Sequence, residues 1–90
     1  MVNNNVDKNL HITIELFGMH GVIADTDRIQ MPITGKTTVN DAIDYIKKKY
    51  PGMIIHQESI LIAVNHQVVP SVTALRANDT VSLLPHIGGG

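Results

Sequence analysis

An α+β fold, with one principal helix packed on one face of a mixed sheet of about five strands, is predicted by three features of the sequence. Leu10, Ile12, Ile14 and Leu16 alternate with polar neighbours. Val39, Ala42, Ile43, Ile46 and Tyr50 recur at helical spacing. Three short apolar runs follow, at Ile60 to Val64, Val68 to Val69 and Val81 to Leu84. A period of two marks a strand with one buried face, and a period near 3.6 marks an amphipathic helix. Strands on both sides of a single helix imply one helix lying across a sheet.

Each element has its own local reason. The polar, Asn-rich stretch 1–9 is expected to be a flexible N-terminal segment, and 10–85 the folded domain. After the first strand, Gly18 to Asp25 carries two glycines and reads as a loop. Arg28 to Ile33 is short and contains Pro32, which suits an edge strand, antiparallel to the first. Thr38 followed by Asp41 approximates a capping box, so the helix is expected from Thr38 to Tyr50, ended by Pro51-Gly52. Ile60 to Val64 is long enough for a strand and too short for a helix. Asn65-His66-Gln67 turns into Val68-Val69, and Ala77-Asn78-Asp79 turns into the last strand, Thr80 to Leu84, before Pro85.

Composition narrows the function. Ninety residues make one domain, and 43% hydrophobic against 17% charged is the balance of a globular chain. A net charge of -1 provides no basic surface for nucleic acid. The chain has no cysteine, which excludes disulfides, thiolate metal sites and a cysteine nucleophile. No apolar run approaches the ~20 residues that span a bilayer, so a cytoplasmic protein without membrane contact is expected. The five histidines show no paired ligand spacing, so no metal site is expected; Asp25 and Asp27 read as solvated loop residues. Gly18-x-x-Gly21 is not a phosphate loop, because no Lys-Ser/Thr follows it.

Residues 86–90 end on Gly88, Gly89 and Gly90 and are expected to form a flexible tail. The tail, the Ala63-Val64-Asn65-His66-Gln67 turn, the Asn78-Asp79-Thr80-Val81 segment and the Leu83-Leu84-Pro85 approach together resemble the sulfur-carrier branch of the β-grasp, or ubiquitin-like, fold. Within that branch the chain is most similar to small subunits of molybdopterin synthase. It departs from them in Gly18-Met19-His20-Gly21, which lacks the arginine-containing pattern often seen after the first strand, and in its third glycine.

The resemblance implies that a ubiquitin-activating-type enzyme adenylates the Gly90 carboxylate with ATP and Mg²⁺, and that sulfur then converts it to a thiocarboxylate. Cofactors would thus belong to the partner and none to this chain. A second partner would receive the sulfur: the large subunit of molybdopterin synthase or, in the alternative, thiazole synthase of thiamine synthesis. Conjugation of Gly90 to protein lysines is a further alternative, as is a plain interaction module. Gly88 and Gly89 would provide clearance in a narrow channel, with His86 and Ile87 at its mouth. From Pro85 an extended tail reaches roughly 15–20 Å.

Side-chain parity suggests the docking surface. With Ile12, Ile14 and Leu16 facing the helix, Phe17 points to the open face; with Val81 and Leu83 buried, so does Leu84. Ile60 to Val64 is apolar on both parities, and placing Leu61 and Ala63 inside exposes Ile60 and Ile62. A partner-binding cluster of Phe17, Ile62 and Leu84 is therefore expected.

Overall fold

The computed structural model describes residues 10–56 and 60–85. The expected flexible segments 1–9 and 86–90 lie outside the described residues. The elements are β1 (His11–Leu16), α1 (Met19–Ala24), β2 (Arg28–Pro32), α2 (Val39–Lys49), β3 (Ile60–Val64), β4 (Gln67–Val68) and β5 (Thr80–Pro85). The five described strands form one sheet in the order β2-β1-β5-β3-β4. The central pair β1 and β5 is parallel, with Ile14 beside Val81 and Leu16 beside Leu83, and every other pairing is antiparallel. This is the mixed sheet and principal helix of the β-grasp.

The core lies between the sheet and α2. Ile12, Ile14 and Leu16 of β1, with Val81 and Leu83 of β5, are buried in one cluster with Val39, Ala42, Ile43 and Ile46 of α2. Those are four of the five positions that the periodicity singles out; the fifth, Tyr50, is the C-cap and packs half-buried against the core. The first turn of α2 leaves no backbone donor stranded. Val39 and Asn40 donate to the carbonyls of Thr73 and Ser71, both at 2.9 Å, and Ala42 donates to Thr38. Thr38 and Asp41 form the full reciprocal capping box. A loop far along the chain thus completes a cap begun by two nearby residues.

Two turns depend on left-handed backbone, the β3–β4 hairpin and, at Asn78 (φ 71°), the turn before β5. Asn65 (φ 51°) and His66 (φ 74°) make the β3–β4 hairpin with both central residues at positive φ, the geometry whose twist matches that of paired strands. Asn65 also reaches across to β5. Its Nδ2 donates to Asp79 Oδ1 at 2.9 Å and its Oδ1 accepts from the Thr80 backbone N–H at 3.0 Å. Asp79 Oδ2 accepts from the Arg76 N–H at 2.8 Å, while the Asp79 carbonyl accepts from Thr13 of β1. Three segments that are distant in sequence meet at this knot.

The segment Gly18 to Asp25, expected as a loop, contains the six-residue helix α1. Its end is a Schellman arrangement: Asp25 N–H donates to the Val22 carbonyl and Thr26 N–H to the Gly21 carbonyl. The left-handed residue that stops the helix is Asp25 (φ 58°), not a glycine. Asp is among the few non-glycine residues that tolerate this region, so the stop signal is weak in sequence. β5 also runs one residue further than expected, with Pro85 opposite Ile60 at the end of the ladder.

Two stability predictions follow from this packing. Ile43 is fully buried, so Ile43→Ala is expected to cost about 2–5 kcal/mol in a urea denaturation series. Asn65→Ala loses two hydrogen bonds and places a Cβ-bearing residue without side-chain compensation in left-handed backbone. The expected cost is about 1–3 kcal/mol. Asn65→Gly, which keeps the backbone unstrained, is expected to cost less; equal losses would remove the backbone part of this account.

Candidate functional site

The face of the sheet away from α2 has no covering layer among the described elements. Its side chains are those that alternate with the core set, and the ladder registers arrange them in rows. One row runs Arg28, Glu15, Ser82, Ala63, Val68 across all five strands. Glu15 lies at its polar end, accepting from Arg28 Nη2 through Oε2 and from Ser82 Oγ through Oε1, both at 2.9 Å. A neighbouring row pairs Gln30 with Thr13, Nε2 donating to Oγ1 at 2.9 Å. This half of the face is hydrogen-bonded and polar.

Towards the end of β5 the face turns apolar. Leu84 stands opposite Leu61, and Phe17 follows the last paired residue of β1. Phe17 is exposed and Leu84 half-buried, as parity requires of residues on the open side. Ile62 is a correction. It is only 7% exposed and belongs to the core cluster, whereas Leu61 is 46% exposed. The register decides this: Ile62 lies opposite Leu83 and Val64 opposite Val81, and directly opposed residues point to the same face. Since Leu83 and Val81 face α2, Ile62 must do so too, and Leu61 takes its place on the open side. The apolar patch is therefore Phe17, Leu61 and Leu84. His86, Ile87, Gly88, Gly89 and Gly90 lie outside the described residues.

The joint between β1 and α1 borders the start of the tail. A Cβ built at Gly18 would lie 3.7 Å from Pro85 Cγ, so this bend packs beside the last described residue of β5. The helix that follows places Met19, Val22 and Ile23 in water, a set that the loop reading missed. Their signal in the sequence is the absence of any Asp, Glu, Lys or Arg from Leu16 to Ala24.

Among the described residues, no three His, Cys, Asp or Glu side chains gather as a metal site would require. No helix among them is long and apolar enough to cross a membrane. What the geometry offers is an open sheet face whose apolar end adjoins Pro85, the last described residue. Such a face can dock a partner and aim a chain terminus at it.

Known proteins share this fold. The molybdopterin synthase sulfur carrier subunit of Mycobacterium tuberculosis is 30% identical over 66 residues, covering 73% of this chain and 80% of that protein. In fold, the chain is similar to the Haloferax volcanii small archaeal modifier protein 1, with a TM-score of 0.78 at 21% identity, covering 88% of this chain and 100% of that one. It is similar also to a chain in the complex of subunits 1 and 2 of the molybdopterin-converting factor from Helicobacter pylori. There the TM-score is 0.63 at 20% identity, with 90% of this chain and 100% of that one covered. The family model described as the ThiS family matches residues 25–90. With the strand order, the turn motifs and this match in agreement, the chain belongs to the ThiS family, among the β-grasp sulfur carriers.

Proposed function

We propose that this protein carries sulfur as a thiocarboxylate on Gly90 and delivers it in molybdopterin synthesis. The observation that carries the reading is the glycine run beyond β5, in a family match that extends through Gly90. A carboxylate is a poor acyl donor because its oxygen leaves badly. An adenylating enzyme would join the Gly90 carboxylate to the α-phosphorus of ATP and release pyrophosphate. A sulfide nucleophile then attacks the acyl carbon, the C–O bond to AMP breaks, and the thiocarboxylate remains. If the donor is a persulfide, the first product is an acyl disulfide, which a thiol must reduce. The chain itself contributes position: β5 directs the tail and the apolar patch of Phe17, Leu61 and Leu84 holds the partner.

The molybdopterin route is favoured over thiazole synthesis by the identity with the Mycobacterium tuberculosis subunit. The large subunit of molybdopterin synthase is then the second partner. A distinguishing assay presents thiocarboxylated protein separately to that subunit with its precursor and to thiazole synthase with its own substrates. Sulfur is expected to leave Gly90 only in the first mixture.

The activation step has a direct test. Incubation with the adenylating enzyme, ATP, Mg²⁺ and sulfide is expected to change the intact mass by one sulfur in place of one oxygen, located at Gly90. Deletion of Gly90 is expected to abolish the change, because the new terminus falls ~3.5 Å short. Gly89→Ile is expected to impair it through steric exclusion, with the denaturation midpoint unchanged. An unaltered mass for the intact chain, or full reaction of the deletion variant, would overturn the proposal.

A further inference from the structure

The exposed apolar side chains of this protein are unevenly distributed. Of the eight large exposed hydrophobics among the described residues, four fall between positions 17 and 23: Phe17, Met19, Val22 and Ile23. Met19, Val22 and Ile23 stand at i, i+3 and i+4 on α1, which places them on one face of that helix. Met19 is 66% exposed and Val22 69%, while Ala24 is the buried residue of the helix. An uncharged, outward-facing stripe of this kind has no role in the core.

Its position suggests what covers it. Gly18, at the entry of α1, approaches Pro85, and from Pro85 five residues lead to Gly90. Extended, that length reaches only about 16–18 Å. A protein that draws Gly90 into an active site must bring its own surface close to Pro85, and therefore against the adjoining helix. Both ends of α1 are held. His20, Gly21 and Val22 donate to the Phe17 and Gly18 carbonyls, the Schellman bonds close the other end, and Leu16 N–H donates to the Asp27 carbonyl. The stripe is thus preorganised, which lowers the ordering cost of docking.

We propose that the Met19-Val22-Ile23 face of α1 is a second docking element, separate from the sheet face, which seats on an apolar rim around the tail channel of the adenylating enzyme. That enzyme is the occupant because adenylation precedes every fate open to Gly90, sulfur carriage and conjugation alike. The inference rests on the tail-delivery reading above.

The test is ATP–pyrophosphate exchange catalysed by the adenylating enzyme of the same organism, with the full-length chain as the varied substrate. Val22→Asp and Met19→Asp are expected to raise KM for the chain about tenfold or more, the effect of losing an anchoring side chain, with kcat little changed. Val22→Ser, a milder change, is expected to shift KM in the same direction. Ile54→Asp serves as the control, since Ile54 is equally exposed, at 70%, on the loop after α2. Thermal denaturation of each variant separates lost docking from lost folding.

An unchanged KM for both α1 variants, or an equal rise for Ile54→Asp, would overturn the proposal. So would sedimentation showing a wild-type dimer that Val22→Asp dissociates while exchange is unaffected, because the stripe would then serve self-association. If the wild-type chain supports no exchange, the tail-delivery reading falls and this inference with it. If the wild type is active and the α1 variants equal it, only this inference falls.

Discussion

The parallel pairing of β1 with β5 is the constraint on which the rest of the molecule depends. These two strands begin at opposite ends of the domain sequence, so nothing local brings them together. Once Ile14 lies beside Val81 and Leu16 beside Leu83, four large side chains are committed to one face and α2 must cover it. Burial of that surface is the main driving force available to a domain of this size. The same pairing leaves β5 antiparallel to β3, and so sets which residues of β3 enter the core. It also carries the chain end out along a central strand, at the margin of an uncovered sheet face.

Parallel pairing across a long sequence interval costs loop-closure entropy, and the polar ties near the start of β5 show how the arrangement is secured. Asn65, Asp79, Thr80 and Thr13 join the β3–β4 turn, the turn before β5 and β1 through side-chain and backbone hydrogen bonds. Asn65 and Asp79 are also among the residues that give the chain its likeness to the sulfur carriers. Their work in the structure is architectural: they hold the register of β5 against β1 and β3.

The described residues form a scaffold with a polar, hydrogen-bonded half-face and an apolar half-face, and the apolar half lies beside the root of the tail. Polar pairs such as Arg28 with Glu15 contribute little to stability at an exposed edge. They make that half of the face polar and leave its apolar side chains, Phe17, Leu61 and Leu84, at the end beside Pro85.

The sequence by itself determined the α+β class, the extent and buried face of α2, the capping box at Thr38 and Asp41, and the inward set of β1. These are local matters of periodicity and capping, where one segment contains its own answer. Only the tertiary structure decided which face of β3 is buried, because Ile60 to Val64 is apolar on both parities and its register is set by Leu83 and Val81 of another strand. Ile62 went to the core and Leu61 to the open face on that account. α1 was hidden for another reason: Gly21, Val22 and Ile23 have weak helical preference, and Asp25 supplies a left-handed stop that its residue type does not announce. The hydrogen bonds that form and close that segment all lie between Phe17 and Thr26, with Leu16 N–H donating to the Asp27 carbonyl across its ends, so the partners are local and it is the residue types that conceal the helix.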